Sequence, residues 1–346
     1  MRDPLTAAAP SGARKPTTDV LTLIAAVLTA GLTLAGCDFQ ASRVAPAEPG
    51  AAASAPSGGS EAVRELSLLH WNVEFLWDGV APEDGEADLD FAWRGSPEKA
   101  EAHMEEIAET LRRVDADLVN LTEVEGPDAL DLFNRRHLAG HGYRPYLVEG
   151  TDTATGQDVA LLSRHELLSF GRDTRRGRSG TTRKGVSKHY VGTLDLDTVA
   201  GRKRLGLVGL HLLAGPTRSN RKGPREAQAD AIRGMAAELA GQGRSMVVWG
   251  DFNDFDGSVD DAKASRPITR VLEWVRGLDP ERDDDDLVNV MGRAPQRDRY
   301  TSRGRYRNAI DHVLLSPDLA DAVTSVEFLH DAPGSGHSPI LVRLRF

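Results

Sequence analysis

The apolar positions of the chain fall into short runs that stop at polar residues. Leu66–Phe75 (LSLLHWNVEF) is apolar and aromatic, the pattern of a buried strand. Ser96-Pro97-Glu98 opens a helix: a capping residue, a proline at the first helical position and an acid in the first turn. Ala100, Met104, Ile107, Leu111 and Val114 then recur at helical spacing on one face. Asp117–Leu121 is a short strand ending at Thr122-Glu123, Pro127–Leu138 a helix, and Tyr143–Glu149 and Asp158–Ser163 strands around a glycine-containing turn. Tyr190–Asp195 and Arg204–His211 pattern as a hairpin and Pro224–Leu239 as a long helix. Ser245–Trp249 leads as a buried strand into Gly250-Asp251-Phe252-Asn253, and Pro267–Val275 reads as helix. Ala309–Leu315, Val323–Phe328 and Ile340–Arg345 complete the strands. Strands outnumber helices and often neighbour one another, which predicts mixed, partly antiparallel sheets with flanking helices. No repeat recurs at a fixed period.

The N-terminal part follows a different pattern. Arg2, Arg14 and Lys15 precede the apolar stretch Val20–Leu34, a charged region followed by a short hydrophobic one, as in a secretory signal. Leu34-Ala35-Gly36-Cys37 follows, and it resembles the signal of a bacterial lipoprotein, in which cleavage precedes a cysteine that is then acylated. Residues 1–36 are therefore expected to be a lipoprotein signal peptide, and Cys37 the lipidation site. Cys37 is the only cysteine, so the mature domain has no disulfide available and must rely on its core. Residues 37–63 are rich in Ala, Pro, Ser and Gly and lack periodicity, the composition of a flexible tether. The expected folded domain is 64–346, carried outside the cytoplasm on a membrane anchor.

The net charge of −10 argues against a general polyanion binder, but the charge is uneven. Acids concentrate at Glu83–Asp90 and Asp283–Asp286, and bases at Arg172–Lys188, Arg202–Arg204, Arg218–Arg225 and Arg293–Arg307.

Candidate chemistry lies at the strand ends. Asn72 and Glu74, Glu123, His211, Asp251 and Asn253, Asp311 and His337 stand at or just past predicted strand termini. Strands sharing a sheet edge would bring them together. Carboxylate and amide oxygens suit a hard cation such as Mg²⁺, which can neutralise phosphoryl charge. A further carboxylate can activate water, a histidine held by an aspartate favours its cation, and an amide can donate to developing charge. Phosphodiester hydrolysis uses such a set. Taken singly, each residue also fits an ordinary role: Asn72, Asp251 and Asn253 as turn formers, Glu123 as a helix-entry acid, His211 as a core histidine. His312 is read as a core histidine and left outside the site.

Six motifs occur in order: W-N-V-E (Trp71–Glu74), L-T-E (Leu121–Glu123), G-L-H (Gly209–His211), G-D-F-N (Gly250–Asn253), A-I-D-H (Ala309–His312) and G-H-S-P (Gly336–Pro339). Together they resemble the endonuclease/exonuclease/phosphatase superfamily. The resemblance implies an α+β fold, the deoxyribonuclease I-like four-layer sandwich of two packed mixed sheets flanked by helices. It implies a Mg²⁺ or Mn²⁺ cofactor held by Asn72, Glu74 and Glu123. It places Asp251, Asn253, Asp311, His337 and His211 in catalysis, with His211 as a candidate acid for the leaving group. Arg225 and Gln228 match a motif near the phosphate, and Asp158 is a candidate substrate-side acid able to support His211. Two departures stand out. Gly336 replaces a common family aspartate, which puts a second metal contact or water-orienting role in doubt. Thr122 replaces a common glutamine.

The substrate stays open at this level. A nuclease acting on DNA or RNA through water attack, as a monomer, is the first expectation. The alternatives are a lipid phosphodiesterase of the sphingomyelinase type, an inositol- or sugar-phosphate phosphatase, and a catalytically silent binding lipoprotein.

Overall fold

The computed structural model describes residues 62–80, 96–152, 155–279 and 281–346. The signal segment, Cys37 and nearly all of the tether lie outside them. Val63, expected in the tether, bridges to Thr198, its N–H donating to the Asp197 carbonyl at 2.8 Å.

Two six-stranded sheets carry the architecture. The first contains β1 (Glu65–Leu76), β2 (Leu118–Val124), β3 (Arg144–Leu147), β4 (Asp158–Ser163), β13 (Val323–Phe328) and β14 (Ile340–Arg345), in the order β13-β14-β1-β2-β4-β3. The second contains β5 (Ser169–Gly171), β8 (Lys188–Thr198), β9 (Gly201–His211), β10 (Ser245–Asp251), β11 (Val288–Asn289) and β12 (Asp311–Leu315), in the order β11-β12-β10-β9-β8-β5. Each sheet is built around one parallel pair, β1 with β2 and β9 with β10, with antiparallel neighbours on both sides. The C-terminal ends of these four strands therefore emerge together, and they carry Asn72, Glu123, His211 and Asp251.

Alternation decides the layers. Leu66, Leu68, Leu161, Tyr190, Leu207, Trp249, Val313 and Val342 point between the sheets and form one buried cluster. The opposite face of the first sheet is buried under α1 (Pro97–Val114) and α2 (Pro127–His137) through Met104, Ile107, Leu111 and Phe133. The opposite face of the second is buried under α3 (Lys222–Gly241) and α4 (Val271–Arg276) through Ile232, Met235, Val271 and Val275. Burying a large aliphatic side chain contributes about 1.5–3 kcal/mol, so sheets apolar on both faces are stable only with helices outside. The result is the expected four-layer sandwich. Among the described residues no helix is long and apolar enough to cross a membrane.

The basic run after Arg172 contains the hairpin β6 (Arg176–Ser179) and β7 (Thr182–Gly185), which lies on α3. Two local readings change. The helix expected from Pro267 begins only at Val271, because the Thr269 hydroxyl is tied to Asp254. Ser96 does not cap α1 with its side chain, which donates to Glu98 instead.

Candidate active site

The parallel strands end in irregular backbone at the positions that carry chemistry. The β1–β2 register shifts between Asn72 and Leu76, and the β2–β4 register between Thr122 and Val124. Bulges of this kind re-aim side chains at strand ends. Glu74 (φ 43), Glu123 (φ 68) and Asn253 (φ 50) are among the seven described non-glycine residues with positive φ. Such backbone is disfavoured by roughly 1–3 kcal/mol per residue and concentrates at functional sites. Gly250, with φ +151, admits no side chain, since a Cβ would lie 1.9 Å from the Leu210 carbonyl oxygen. That close approach lets β10 turn beside β9 and leaves Asp251 at the edge.

Asn72 joins the two sheets. Its amide donates to Glu123 Oε1 and to Asp251 Oδ2, both at 3.0 Å. Glu123 also accepts from Gln157 Nε2 at 2.8 Å. Burial pushes the Glu123 carboxyl up, opposed by the Asn72 hydrogen bond and the charges of His337 and Lys188. Asp251 is pushed up by burial and then by the negative charge of Asp311. Two desolvated carboxylates bridged by one neutral amide fit a divalent cation held by oxygen donors.

His337 supplies the opposite charge. Its Nδ1 is 2.8 Å from Asp311 Oδ2, and the ion pair raises the imidazole to about 10 against the cost of burial. Burial alone would raise Asp311, but the charge and hydrogen bond of His337 and the hydrogen bond from His70 hold it well below the usual carboxylate range. Asp311, His337 and Asp251 each offer a ligand atom within 4.8 Å of the others. His337 Nδ1 and Asp311 Oδ2 are already bound to each other, so a cation is better served on the Glu123 and Asp251 side.

His211 behaves differently from His337. Its Nε2 lies 3.7 Å from Asp251 Oδ2 and 4.0 Å from Glu123 Oε1. Burial, and secondarily Lys188, pushes it down to about 3, so it is neutral at neutral pH. Its Nδ1 is buried without a hydrogen-bond partner. The role expected for it toward the leaving group would fall to the single N–H that a neutral imidazole donates. Asp158, the support expected for it, accepts from Gly150 N at 2.7 Å through Oδ1, while His211 Nδ1 stands without a partner.

Three other expected contacts are redrawn. Arg225 is fully buried, 2.9 Å from Asp254 and bonded to the carbonyls of Phe252 and Asn253. It braces the Gly250–Asn253 turn and is closed to substrate. Asn253 donates one amide hydrogen to the Leu212 carbonyl at 3.1 Å, leaving one for a phosphoryl oxygen. Glu74 turns toward the Ser335–Gly336 loop, accepting from Gly336 N. A Cβ at residue 336 would lie 2.8 Å from Glu74 Oε2, so the Glu74 carboxylate occupies the space where a side chain there would begin. Thr122 is buried with its hydroxyl unpartnered, and His312 is the core histidine expected, bonded to the Asp254 carbonyl and Asn289.

The structure adds residues that the motifs missed. His70 Nε2 contacts Asp311 Oδ1 at 3.1 Å and its Nδ1 meets Asn120 at 2.8 Å, extending the Asp311–His337 pair across both sheets. Thr301 Oγ1 accepts from Asp311 N at 3.1 Å. Lys188 Nζ donates to Gln157 Oε1 at 3.2 Å and pairs with Asp152 at 3.0 Å, a buried polar chain leading to Glu123.

A four-layer sandwich with carboxylates, an amide and an Asp–His pair at the joined sheet edge defines a hydrolase of phosphoric esters. The chain belongs to the Endonuclease/Exonuclease/phosphatase family, whose model matches residues 69–333. The family is generally dependent on divalent metals. The fold is similar to the Xenopus laevis APE2 catalytic domain, with 15% identity and TM-score 0.54 over 81% of this chain and 92% of that one. It is similar to the 3′ phosphatase NExo from Neisseria, solved with a product DNA hairpin, with 15% identity and TM-score 0.54 over 81% of this chain and 100% of that one. The human Nocturnin catalytic domain gives 16% identity and TM-score 0.52 over 83% and 96%. The comparison with curated proteins finds no significant match.

Proposed function

We propose that the chain is a divalent-metal-dependent nuclease, exported and lipid-anchored through Cys37, that cleaves phosphodiesters by in-line attack of water. One observation carries the reading: a ring nitrogen of His337 and a carboxylate oxygen of Asp251 lie within 4.8 Å, and Asn72 bonds both Asp251 and Glu123 beside them. Glu123 and Asp251 would hold Mg²⁺ or Mn²⁺, which when bound would neutralise phosphoryl charge; Asn72, expected as a ligand, bridges the two carboxylates through its N–H groups while its Oδ1 accepts from Glu74 N. Glu74, held by Gly336, is a support of the loop carrying His337 before it is a ligand. Asp251 orients water and accepts its proton. His337 and the remaining Asn253 N–H stabilise charge on the phosphoryl oxygens. His211 acts as a neutral donor. No side chain in the set requires a covalent intermediate.

Nucleic acid is favoured by the segment beside His337. Arg303 N donates to the Gly336 carbonyl at 2.8 Å, and the exposed Arg305, Tyr306 and Arg307 follow. Arg305 lies over the Tyr306 ring at 4.7 Å, and Tyr306 is 58% exposed. Arginine with an open aromatic face suits phosphates and unstacked bases.

The test is a substrate panel with Mg²⁺: plasmid DNA, single-stranded DNA, RNA, sphingomyelin and inositol phosphates. Cleavage of DNA or RNA abolished by EDTA is expected. Headgroup release from sphingomyelin without nucleic-acid cleavage contradicts the nuclease reading. Fatty-acid labelling of the wild type but not of Cys37→Ser tests the anchor, and equal labelling contradicts it.

A further inference from the structure

Next to Glu123 and His211 opens a cleft of about 430 Å³, also lined by Asp152, Lys184, Lys188 and Arg221. Its charges do not cancel. Lys188 is matched by Asp152 at 3.0 Å. Arg221 gives one N–H to the Ala214 carbonyl at 2.7 Å, and no described carboxylate pairs with Arg221 or Lys184.

The wall bearing Lys184 is fixed. The β6–β7 hairpin packs on α3 closely enough that a Cβ on Gly177 would lie 2.1 Å from the Ala227 carbonyl oxygen. Arg178 N donates to Asp230 at 2.9 Å and Ser179 Oγ to Glu226 at 2.8 Å. Gly223 also lies against the other strand, though less closely, where its Cβ would meet Thr182 Oγ1 at 3.0 Å. A hairpin with no core of its own is thus held rigidly with an unpaired lysine at the cleft.

We propose that this cleft is a second phosphate subsite: Lys184 and Arg221 take the phosphate adjacent to the scissile one, so the chain selects a strand with successive phosphates over an isolated diester. The inference rests on the nuclease reading and deepens it. Two uncompensated cations beside the reacting centre favour an anion there, and they oppose the quaternary ammonium of a choline headgroup. The spacing of charges along a nucleic-acid strand supplies a second anion within reach of the first; a single diester does not.

The experiment compares kcat/KM for a single-stranded oligonucleotide and for bis(4-nitrophenyl) phosphate, in wild type and in the double variant Lys184→Ala, Arg221→Ala. The ratio of the two is expected to fall at least tenfold, mainly through KM for the oligonucleotide. The slope of log KM against log salt should flatten by roughly 1.4, about 0.7 for each lost contact on a single strand. The charge-preserving pair Lys184→Arg, Arg221→Lys should recover most of the slope. Retained diester turnover shows that the variants are folded. A ratio within twofold of wild type, with the oligonucleotide cleaved, overturns the subsite and leaves the nuclease reading intact. A wild type that hydrolyses the small diester but no oligonucleotide overturns both.

Discussion

His337 Nδ1 and Asp311 Oδ2 are 2.8 Å apart, and behind Asp311 stands His70 Nε2 at 3.1 Å from its other oxygen. The carboxylate is thus held from both sides, and His337 is a persistent cation at neutral pH. Asp311→Asn keeps the shape but removes the charge. Its turnover should fall by about 10²–10⁴, and the His337 imidazole, raised to about 10 in the wild type, should titrate near or below its ordinary value of about 6.5. NMR titration of the histidine checks this. An unchanged His337 titration would show that Asp311 does not set its charge.

Glu74 and Gly336 should be energetically coupled, because one carboxylate accepts from the Gly336 N–H in space that a Cβ would invade. Gly336→Ala and Glu74→Ala are each expected to cost about 1 kcal/mol, the scale of a lost hydrogen bond. Together they should be non-additive by about 0.5–3 kcal/mol. Urea unfolding of the four proteins measures the cycle, and simple additivity would mean that the contact contributes nothing.

Arg225 is paired with Asp254 where neither side chain is exposed. Arg225→Met leaves a buried carboxylate without its partner, and should cost about 3–5 kcal/mol. The loss is expected in unfolding free energy as well as in kcat. A variant of wild-type stability with a raised KM alone would restore the substrate-binding role read from the motif.

Asp158 is pushed up by burial to about 6 from the ordinary 3.8. The folded state therefore binds this proton more tightly than the unfolded chain. The contribution of the group to stability declines as pH rises from about 3.8 to about 6, and the penalty is complete above that. Asp158→Asn keeps an acceptor for Gly150 N. It should raise stability at pH 7–8 by about 1–3 kcal/mol, with little effect near pH 3. Thermal denaturation at several pH values tests this, and an equal shift at all of them would point to packing instead.

The strand-end residues were legible because each polar side chain terminates an apolar run and sits in an ordered motif. Asn72, Glu123, His211, Asp251, Asp311 and His337 are brought to one edge because β1 and β2, and β9 and β10, are parallel. His70 was not legible. It lies inside the run Leu66–Phe75, and only the packing of β1 against β12 turns it toward Asp311. Asn120 and Lys188 are hidden for the same reason, the partner of Asn120 coming from β1 and those of Lys188 from the connection before β4. The β6–β7 hairpin has no apolar alternation, since Arg176-Gly177-Arg178 and Arg183-Lys184-Gly185 owe their shape to α3. Arg225 matched its motif, but burial decided its role.

The most direct test of the account is hydrolysis of bis(4-nitrophenyl) phosphate by the purified protein with Mg²⁺, Mn²⁺ or EDTA, beside Asp251→Asn and His337→Ala. The account predicts metal-dependent turnover that EDTA abolishes and that each substitution lowers by about 10²–10⁴ with the fold retained. Turnover that persists in EDTA, or survives both substitutions, would contradict it.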